Sequence, residues 1–153
     1  MTAEHVSRVW TVLPWGPGGR RQSMHETSTS AESRTPKILI AHPDLSYRTA
    51  VAWFLRQHGC QVTATGSGAS LRDWARTCHP YICLIADRLD DESGFLTCAK
   101  LRMEFPQSRM LLLVERISPE DERFARYAGA EGILRRQEGM RGVAERVLEQ
   151  VAV

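Results

Sequence analysis

Long hydrophobic runs are absent from the sequence. The longest apolar stretches, such as Tyr81–Ala86 and Met110–Val114, fall far short of the roughly 20 residues that a membrane-spanning helix needs. A large excess of one charge is also missing, since 20 Lys and Arg stand against 18 Asp and Glu, and aromatic residues make up only 7% of the chain. The composition therefore predicts a soluble protein with no nucleic acid and no membrane among its partners.

Clustered cysteines are missing as well. Cys60, Cys78, Cys83 and Cys98 lie within or beside apolar segments and show no C-x-x-C spacing. This pattern predicts free thiols in a reducing compartment, and hence a cytoplasmic location. The neighbouring histidines, His58 and His79, do not complete any structural zinc spacing, so we expect no metal there.

The first 36 residues differ in composition and periodicity from the rest of the 153-residue chain. They combine prolines, glycines and a Ser/Thr-rich run from Ser23 to Thr35, without sustained periodicity. Such a segment buries too little apolar area to offset its ordering entropy. We expect residues 1–36 to be a disordered or weakly ordered extension, with Met24 as an alternative start, and residues 37–153 to be one folded domain.

Strand-like and helix-like segments alternate from Lys37 onward. Five short apolar runs are typical of buried strands: Lys37–Ala41, Gln61–Thr65, Tyr81–Ala86, Met110–Val114 and Gly132–Arg135. Five stretches between and after them have helical periodicity: Leu45–His58, Ala69–Thr77, Gly94–Glu104, Pro119–Ala128 and Gly139–Val151. The alternation predicts an α/β fold with a doubly wound, five-stranded parallel sheet, whose binding crevice lies at the carboxyl ends of the strands.

Several local features occur in an order that points to one family. They are the opening Lys37–Ala41 strand, the link from His58 through Gly59 to Val62, Pro80 ahead of the third strand, Ser93-Gly94-Phe95 at the third helix, and Ala128-Gly129-Ala130 before the fifth strand. Over Lys37 to about Val151 the chain resembles the receiver domain of two-component response regulators. The resemblance implies a flavodoxin-like receiver fold and a role in a phosphorelay, with a histidine kinase or another regulator as partner.

The family's chemistry sets requirements that this sequence can be tested against. Phosphoryl transfer from a phosphohistidine needs a carboxylate nucleophile, acidic ligands for Mg²⁺ and a lysine against the phosphoryl oxygens. Where the family places its acidic pair, this chain has His42 and Pro43, with Asp44 one residue later. Counting eight residues back from Gly94, the position equivalent to the phosphoacceptor is Ala86, whose methyl group cannot be phosphorylated.

The other reactive positions have also changed type. The family's switch hydroxyl corresponds to Val114, its aromatic switch residue to Ile133, and its lysine to Arg136. Arg136 is expected either to be exposed or to form an ion pair with Asp87 or Glu115. The resemblance therefore implies a degenerate pocket, in which neither a catalytic residue nor a metal or cofactor is expected.

One alternative hypothesis retains the phosphorylation of an aspartate. Asp87 directly follows Ala86, and a bulge in the third strand would turn its carboxylate into the pocket as a shifted phosphoacceptor. Mg²⁺ would then depend on Asp44, Asp90 or Asp91, although residues 90–92 are more typical of a solvated loop. Without the bulge, Asp87 points to the opposite face from Ala86.

The leading functional hypothesis is a stand-alone pseudo-receiver, a non-enzymatic signalling module that acts by protein–protein interaction without aspartyl phosphorylation. The chain ends after the fifth helix, so we expect no DNA-binding output domain in it. Arg126, Tyr127 and Arg135 mark the expected partner face. Two further alternatives are a homodimeric adaptor joined through Trp10 and Trp15, and a redox sensor that uses Cys60 or Cys78. We also predict that protonation of His42 near pH 6.5 modulates binding.

Overall fold

A computed structural model of the chain describes residues 8–9 and 35–152. These residues form a six-stranded sheet in the order β1-β6-β5-β4-β2-β3. The strands are β1 (Arg8–Val9), β2 (Lys37–Ala41), β3 (Gln61–Thr65), β4 (Ile82–Ala86), β5 (Met110–Val114) and β6 (Gly132–Arg135). Strands β2 to β6 run parallel, which confirms the five predicted strands and the doubly wound fold.

Five helices connect or follow the parallel strands. They are α1 (Leu45–Gln57), α2 (Gly68–Cys78), α3 (Gly94–Glu104), α4 (Pro119–Ala128) and α5 (Gly139–Ala152), the last preceded by a 3₁₀ turn at Arg136–Glu138. The hydroxyls of Ser67, Ser93 and Ser118 each accept a backbone N–H from three residues later, so these serines begin α2, α3 and α4. Taken over the described residues, no helix combines the length and the apolar character needed to cross a bilayer.

The helices cover both faces of the sheet, and a separate apolar cluster fills each side. Helices α1 and α5 pack on one face, where Ile82 and Leu84 of β4 point. Helices α2, α3 and α4 pack on the other, where Cys83 and Ile85 of the same strand point. The side chains of β4 alternate between the two faces and thus contribute to both clusters, and all five residues of the strand are buried.

Strand β1 was not predicted. Arg8 pairs with Ile133 and Val9 with Gly132, antiparallel to the outer edge of β6. A two-residue strand carries too little alternation to be recognised from sequence, and its partner lies at the far end of the chain. This two-residue pairing does not test whether residues 1–36 are disordered or weakly ordered, so that expectation stays a prediction. Trp10, Trp15 and Met24 lie outside the described residues, so the other predictions for residues 1–36 remain predictions.

A close backbone approach shapes the carboxyl edge of the sheet. The N–H of Gly94 donates to the carbonyl oxygen of Asp87 at 2.8 Å, which folds the loop after β4 back onto the strand end. A Cβ atom at position 94 would collide with the carbonyl oxygen of Ala86. Position 94 therefore requires glycine, because no larger side chain fits there. The loop in turn holds the end of β4 in place.

Candidate functional site

The crevice at the carboxyl edge has apolar side chains at the positions that the family resemblance singled out. Ala86 ends β4 and is 4% exposed, Val114 ends β5 and is 1% exposed, and Ile133 in β6 is fully buried. Along β4 the pairing with β5 is continuous up to Ala86 opposite Leu113. The N–H of Asp87 then donates to the carbonyl oxygen of Leu113 at 2.9 Å, so no residue is inserted before the strand ends.

Asp87 lies at the helix α4 side of this strand end. Without an inserted residue, it follows the alternation of Cys83 and Ile85, which face α2, α3 and α4. Burial raises the pKa of the Asp87 carboxyl; Arg88 opposes this effect, while the nearby Glu115 and Asp121 add to it. Asp87 thus faces other carboxylates on the side opposite to that of Ala86.

His42 is buried next to the start of α1. Its ring stacks on that of Tyr47, with centroids 4.4 Å apart. The backbone N–H of Asp44 donates to Nδ1 of His42 at 3.0 Å, which requires this nitrogen to be unprotonated. Burial, reinforced by Arg136, lowers the pKa of His42 to about 4. The prediction of a proton switch near pH 6.5 is therefore wrong, because the ring stays neutral well below that pH.

Asp44 is used to begin α1. Its Oδ1 accepts the backbone N–H groups of Ser46 at 3.0 Å and Tyr47 at 3.4 Å. This N-cap role explains why Asp44 is present one residue after the positions of the family's acidic pair. The remaining oxygen lies 3.7 Å from Nη2 of Arg136.

Arg136 joins three parts of the crevice. Its guanidinium lies over the Tyr47 ring, 4.7 Å from the centroid, and Nη1 donates to Oε2 of Glu115 at 3.2 Å. With Asp44 on its other nitrogen, it links the end of β6 to the end of β5 and the start of α1. Of the two alternatives for Arg136, the ion pair with Glu115 is present, and the second carboxylate is Asp44 rather than Asp87.

Tyr47 is the site residue that sequence reasoning missed. Its ring contacts both the His42 ring and the Arg136 guanidinium, the residue is 5% exposed, and its hydroxyl has no hydrogen-bond partner among the described residues. Burial raises the pKa of Tyr47 to about 12. An aromatic residue three positions after an N-cap aspartate was the available signal, although nothing local indicates what would stack on it.

The acidic loop after β4 is bound to neighbouring elements. Both carboxylate oxygens of Asp91 accept backbone N–H groups at the start of α2, from Gly68 at 2.7 Å and Ala69 at 3.0 Å. Glu92 accepts from the Thr97 hydroxyl and from Nζ of Lys100 at 2.7 Å. Asp90 and Asp91 are exposed, in agreement with the interpretation as a solvated loop, whereas that interpretation is wrong for Glu92, whose side chain is only 11% exposed.

These residues do not fit the Mg²⁺ that the fold family implies. Magnesium needs several oxygen ligands in octahedral geometry, and within residues 8–9 and 35–152 no three His, Cys, Asp or Glu side chains converge to hold a metal ion. Asp44 caps α1, Asp91 binds the start of α2, and Ala86 offers no oxygen from its side chain. The donor set of the crevice is thus unsuitable for this cation.

The four cysteines are free thiols, as the sequence predicts. Burial raises the pKa of all four, to about 12 for Cys83. A thiol that remains protonated is a poor nucleophile. The environments of Cys60 and Cys78 therefore do not favour the redox-sensor alternative.

The expected partner face has an aromatic surface on α4. Tyr127 is 90% exposed and Phe124 is 60% exposed, beside the exposed Arg126. Arg135 lies at the end of β6, where its Nη2 donates to Oε1 of Gln137 at 2.8 Å. Sequence reasoning missed Phe124, because its spacing along α4 is also compatible with a core position.

Comparison with known proteins agrees with this geometry. The family model described as the response regulator receiver domain matches residues 38–148. No match was found among curated proteins. Among solved structures, a CheY-like response regulator receiver domain protein from Methanospirillum hungatei JF-1 has a TM-score of 0.71 at 19% identity, over 77% of this chain and 94% of that one.

Two further solved structures show the same likeness. The chemotaxis protein CheY4 of Vibrio cholerae gives a TM-score of 0.71 at 21% identity, covering 76% of this chain and 98% of that one. A DNA-binding response regulator of the LuxR family from Staphylococcus aureus gives 0.66 at 14% identity, over 76% and 98% of the two chains. At these identities the structural likeness shows the fold alone.

Proposed function

The chain belongs to the response regulator receiver family, and from this premise we propose that it is a pseudo-receiver, a signalling module that binds a protein partner without phosphorylation of an aspartate. It is proposed to act as a non-catalytic domain with no cofactor. The partner is a signalling protein, such as a histidine kinase or another regulator.

The observation that carries this proposal is the position of Ala86. Its methyl group lies where family members need a nucleophilic carboxylate, and the continuous pairing of β4 with β5 supports the count that places it there. A methyl group has no lone pair with which to attack a phosphoryl group. The adjacent carboxylate of Asp87 lies on the opposite face of the strand from Ala86.

The contacts of Arg136 support a fixed state of the crevice. In the family, a lysine at this position meets the phosphoryl group, whereas here the guanidinium is held by Glu115, Asp44 and the Tyr47 ring. These contacts need neither phosphate nor Mg²⁺. We therefore propose that the crevice keeps one arrangement, and that signalling depends on whether the partner is bound.

Incubation with acetyl phosphate and Mg²⁺, followed by intact mass measurement, tests this function. We expect no phosphoryl adduct on the wild-type chain, and no change in Tm when beryllofluoride and Mg²⁺ are added. The matched variant is Asp87→Asn, which we expect to behave identically. A wild-type adduct that is absent from Asp87→Asn would overturn the proposal and identify Asp87 as a shifted phosphoacceptor.

We place the partner surface on the exposed side of α4 and the end of β6, at Arg126, Tyr127 and Arg135. The exposure of Tyr127 and Phe124 supports this placement, since aromatic and arginine side chains dominate interface energetics. Three consecutive acidic residues, Glu120, Asp121 and Glu122, precede the arginines of α4. This mixed charge favours a protein partner over a nucleic acid.

Charge reversal tests the partner surface. The double variant Arg126→Glu/Arg135→Glu should release the proteins that the wild-type chain retains from an extract of its source cells. The control is Arg76→Glu/Arg141→Glu, which changes the same charge at side chains on α2 and α5 that are 47% and 77% exposed. Equal retention by both double variants would place the partner elsewhere on the domain.

A further inference from the structure

A cavity of about 170 Å³ lies at the opposite edge of the sheet from the crevice. It opens between α2 and α3, near the amino ends of β4 and β5. Ala75, Leu101 and Phe105 form its walls, and Cys83 lies at its base. Ala75, Leu101 and Cys83 belong to the buried apolar cluster on that face, so the cavity reaches into the core.

The volume sets the size of the molecule that fits. An apolar cavity of about 150 Å³ is large enough to hold one benzene molecule and remains dry when empty. The present cavity therefore accommodates a single six-membered ring. Phe105 in its wall provides an aromatic surface, against which a second ring packs favourably.

The opening of the cavity is polar. His79 and Pro80 form one side, after the chain turns sharply at the end of α2. His79 has φ 49° and ψ 67°, a left-handed conformation that is uncommon for any residue other than glycine, and its N–H donates to the carbonyl oxygen of Ala75 at 3.2 Å. Gln107 and Ser108 lie on the other side, so one polar substituent on a ring would find hydrogen-bonding groups at the mouth.

The charge near the opening is already compensated. Arg109 donates from Nε and Nη2 to the two carboxylate oxygens of Glu131, at 2.7 and 2.8 Å. Its guanidinium also lies 4.8 Å from the centre of the Tyr81 ring. An arginine held in this way has no free face for a ligand carboxylate, so the site favours an uncharged molecule.

We propose that this cavity binds a small, uncharged molecule built on one aromatic ring, with a single hydroxyl-type substituent at the polar mouth. Binding is reversible and noncovalent, because Cys83 is a buried, protonated thiol. The site is separate from the receiver crevice, and nothing in the proposed function depends on it.

Titration of the full chain with phenol, followed by methyl NMR, tests the proposal. We expect saturable shifts at the methyl groups of Ala75 and Leu101. Ala75→Leu fills the cavity and should weaken phenol binding about tenfold or more, since the added side chain takes the space of the ring. Ala50→Leu, the same substitution on α1 at the other face, should leave phenol binding unchanged.

Benzoate is the test of ligand class, and we expect it to bind at least about fivefold more weakly than phenol because Arg109, the arginine that lines the cavity, is already paired with Glu131. The proposal is overturned by the absence of saturable shifts in the wild-type chain, by phenol binding that is unaffected in a folded Ala75→Leu variant, or by benzoate binding as tightly as phenol. The wild-type titrations decide the question even if Ala75→Leu does not fold.

Discussion

Three side chains of the crevice pack together at the residue scale. The neutral ring of His42 stacks on the Tyr47 ring, and the guanidinium of Arg136 also contacts the Tyr47 ring. The Asp44 N–H that binds Nδ1 of His42 fixes the ring in the form protonated at Nε2. Histidine at this position therefore acts as a neutral packing group and hydrogen-bond acceptor.

Stability should depend on pH through His42. Its pKa is about 4 in the folded chain, whereas the unfolded chain takes up the proton near the ordinary value of 6.5. Between these values the unfolded state binds more protons, so the folded state loses stability as the pH falls from 6.5 towards 4. The loss attributable to His42 is on the order of 3 kcal/mol at most, measured by urea unfolding at pH 7, 5.5 and 4.5.

His42→Asn is the control for this prediction. The other charged groups around the ring, Arg136, Asp44, Arg48 and Glu115, remain in the variant, so the difference between the two pH profiles reports His42 alone. We expect the profile of the variant to be flatter over this range. Parallel profiles would show that the ring is protonated equally easily in both states.

The sequence predicts individual positions of the site better than their contacts. The burial of Ala86, Val114 and Ile133 follows from the apolar strand segments in which they lie, whereas their equivalence to the family's reactive positions, counted from glycines and prolines, stays a prediction. The stack of His42, Tyr47 and Arg136 could not be predicted in this way. It exists because parallel strands bring the residues after β2 and β6 to the same edge, and the choice among side-chain conformations there depends on all three groups together.

At the scale of secondary structure, a loop carboxylate stabilises a distant helix. Asp91 lies after β4 but binds the first two N–H groups of α2, next to the local cap by Ser67. Burial alone would raise the pKa of Asp91, but the hydrogen bonds from Gly68 and Ala69 outweigh this effect and lower it. The bound loop keeps the segment between β4 and α3 in one conformation.

Asp91→Ala should destabilise the chain by about 1 kcal/mol, the typical cost of losing a helix cap. The free energy of unfolding in urea at pH 7 measures this. Asp73→Ala removes a carboxylate from an exposed ion pair with Arg76 on the same helix and should cost less than about 0.5 kcal/mol. Equal costs for the two variants would mean that the contact with Gly68 and Ala69 contributes nothing specific.

Helix boundaries were predictable because their signals are local. Ser118 followed by Pro119 begins α4, and Gly129, with φ 98°, ends it. The cap by Asp91 was not predictable, because its acceptor and donors are 22 and 23 residues apart and follow β4 and β3, which come near each other only because both strands flank β2. Sequence patterns thus define the elements, whereas the strand order determines which elements contact each other.

At the scale of the whole molecule, the members of both apolar clusters that belong to the described residues lie between Ile38 and Val151. Removal of residues 1–36 should therefore leave a single cooperative thermal transition, with Tm changed by less than about 5 °C. Differential scanning calorimetry measures both quantities, and far-UV circular dichroism checks the helix content. A broad transition or loss of helix would show that the extension contributes to the core.

The same truncated chain tests the adaptor-dimer alternative. Sedimentation of both forms at equal concentration reports whether Trp10 and Trp15 join two copies. We expect the same oligomeric state for the two forms. A dimer that dissociates only on truncation would support the adaptor and contradict the pseudo-receiver as a stand-alone module.

The pairing of β1 with β6 limits how the sheet can be extended. Over Gly132 and Ile133 the outer edge of β6 has β1 as its partner, so within the described part of the chain the two edges of the sheet are the two-residue β1 and the five-residue β3, and β3 is the longer of them. Two molecules that met through β3 would form a closed, two-fold pair, with no equally open edge left for a third. Growth into fibrils by repeated strand addition would then depend on the two-residue β1 edge, or on the longer β6 edge that is exposed when β1 detaches.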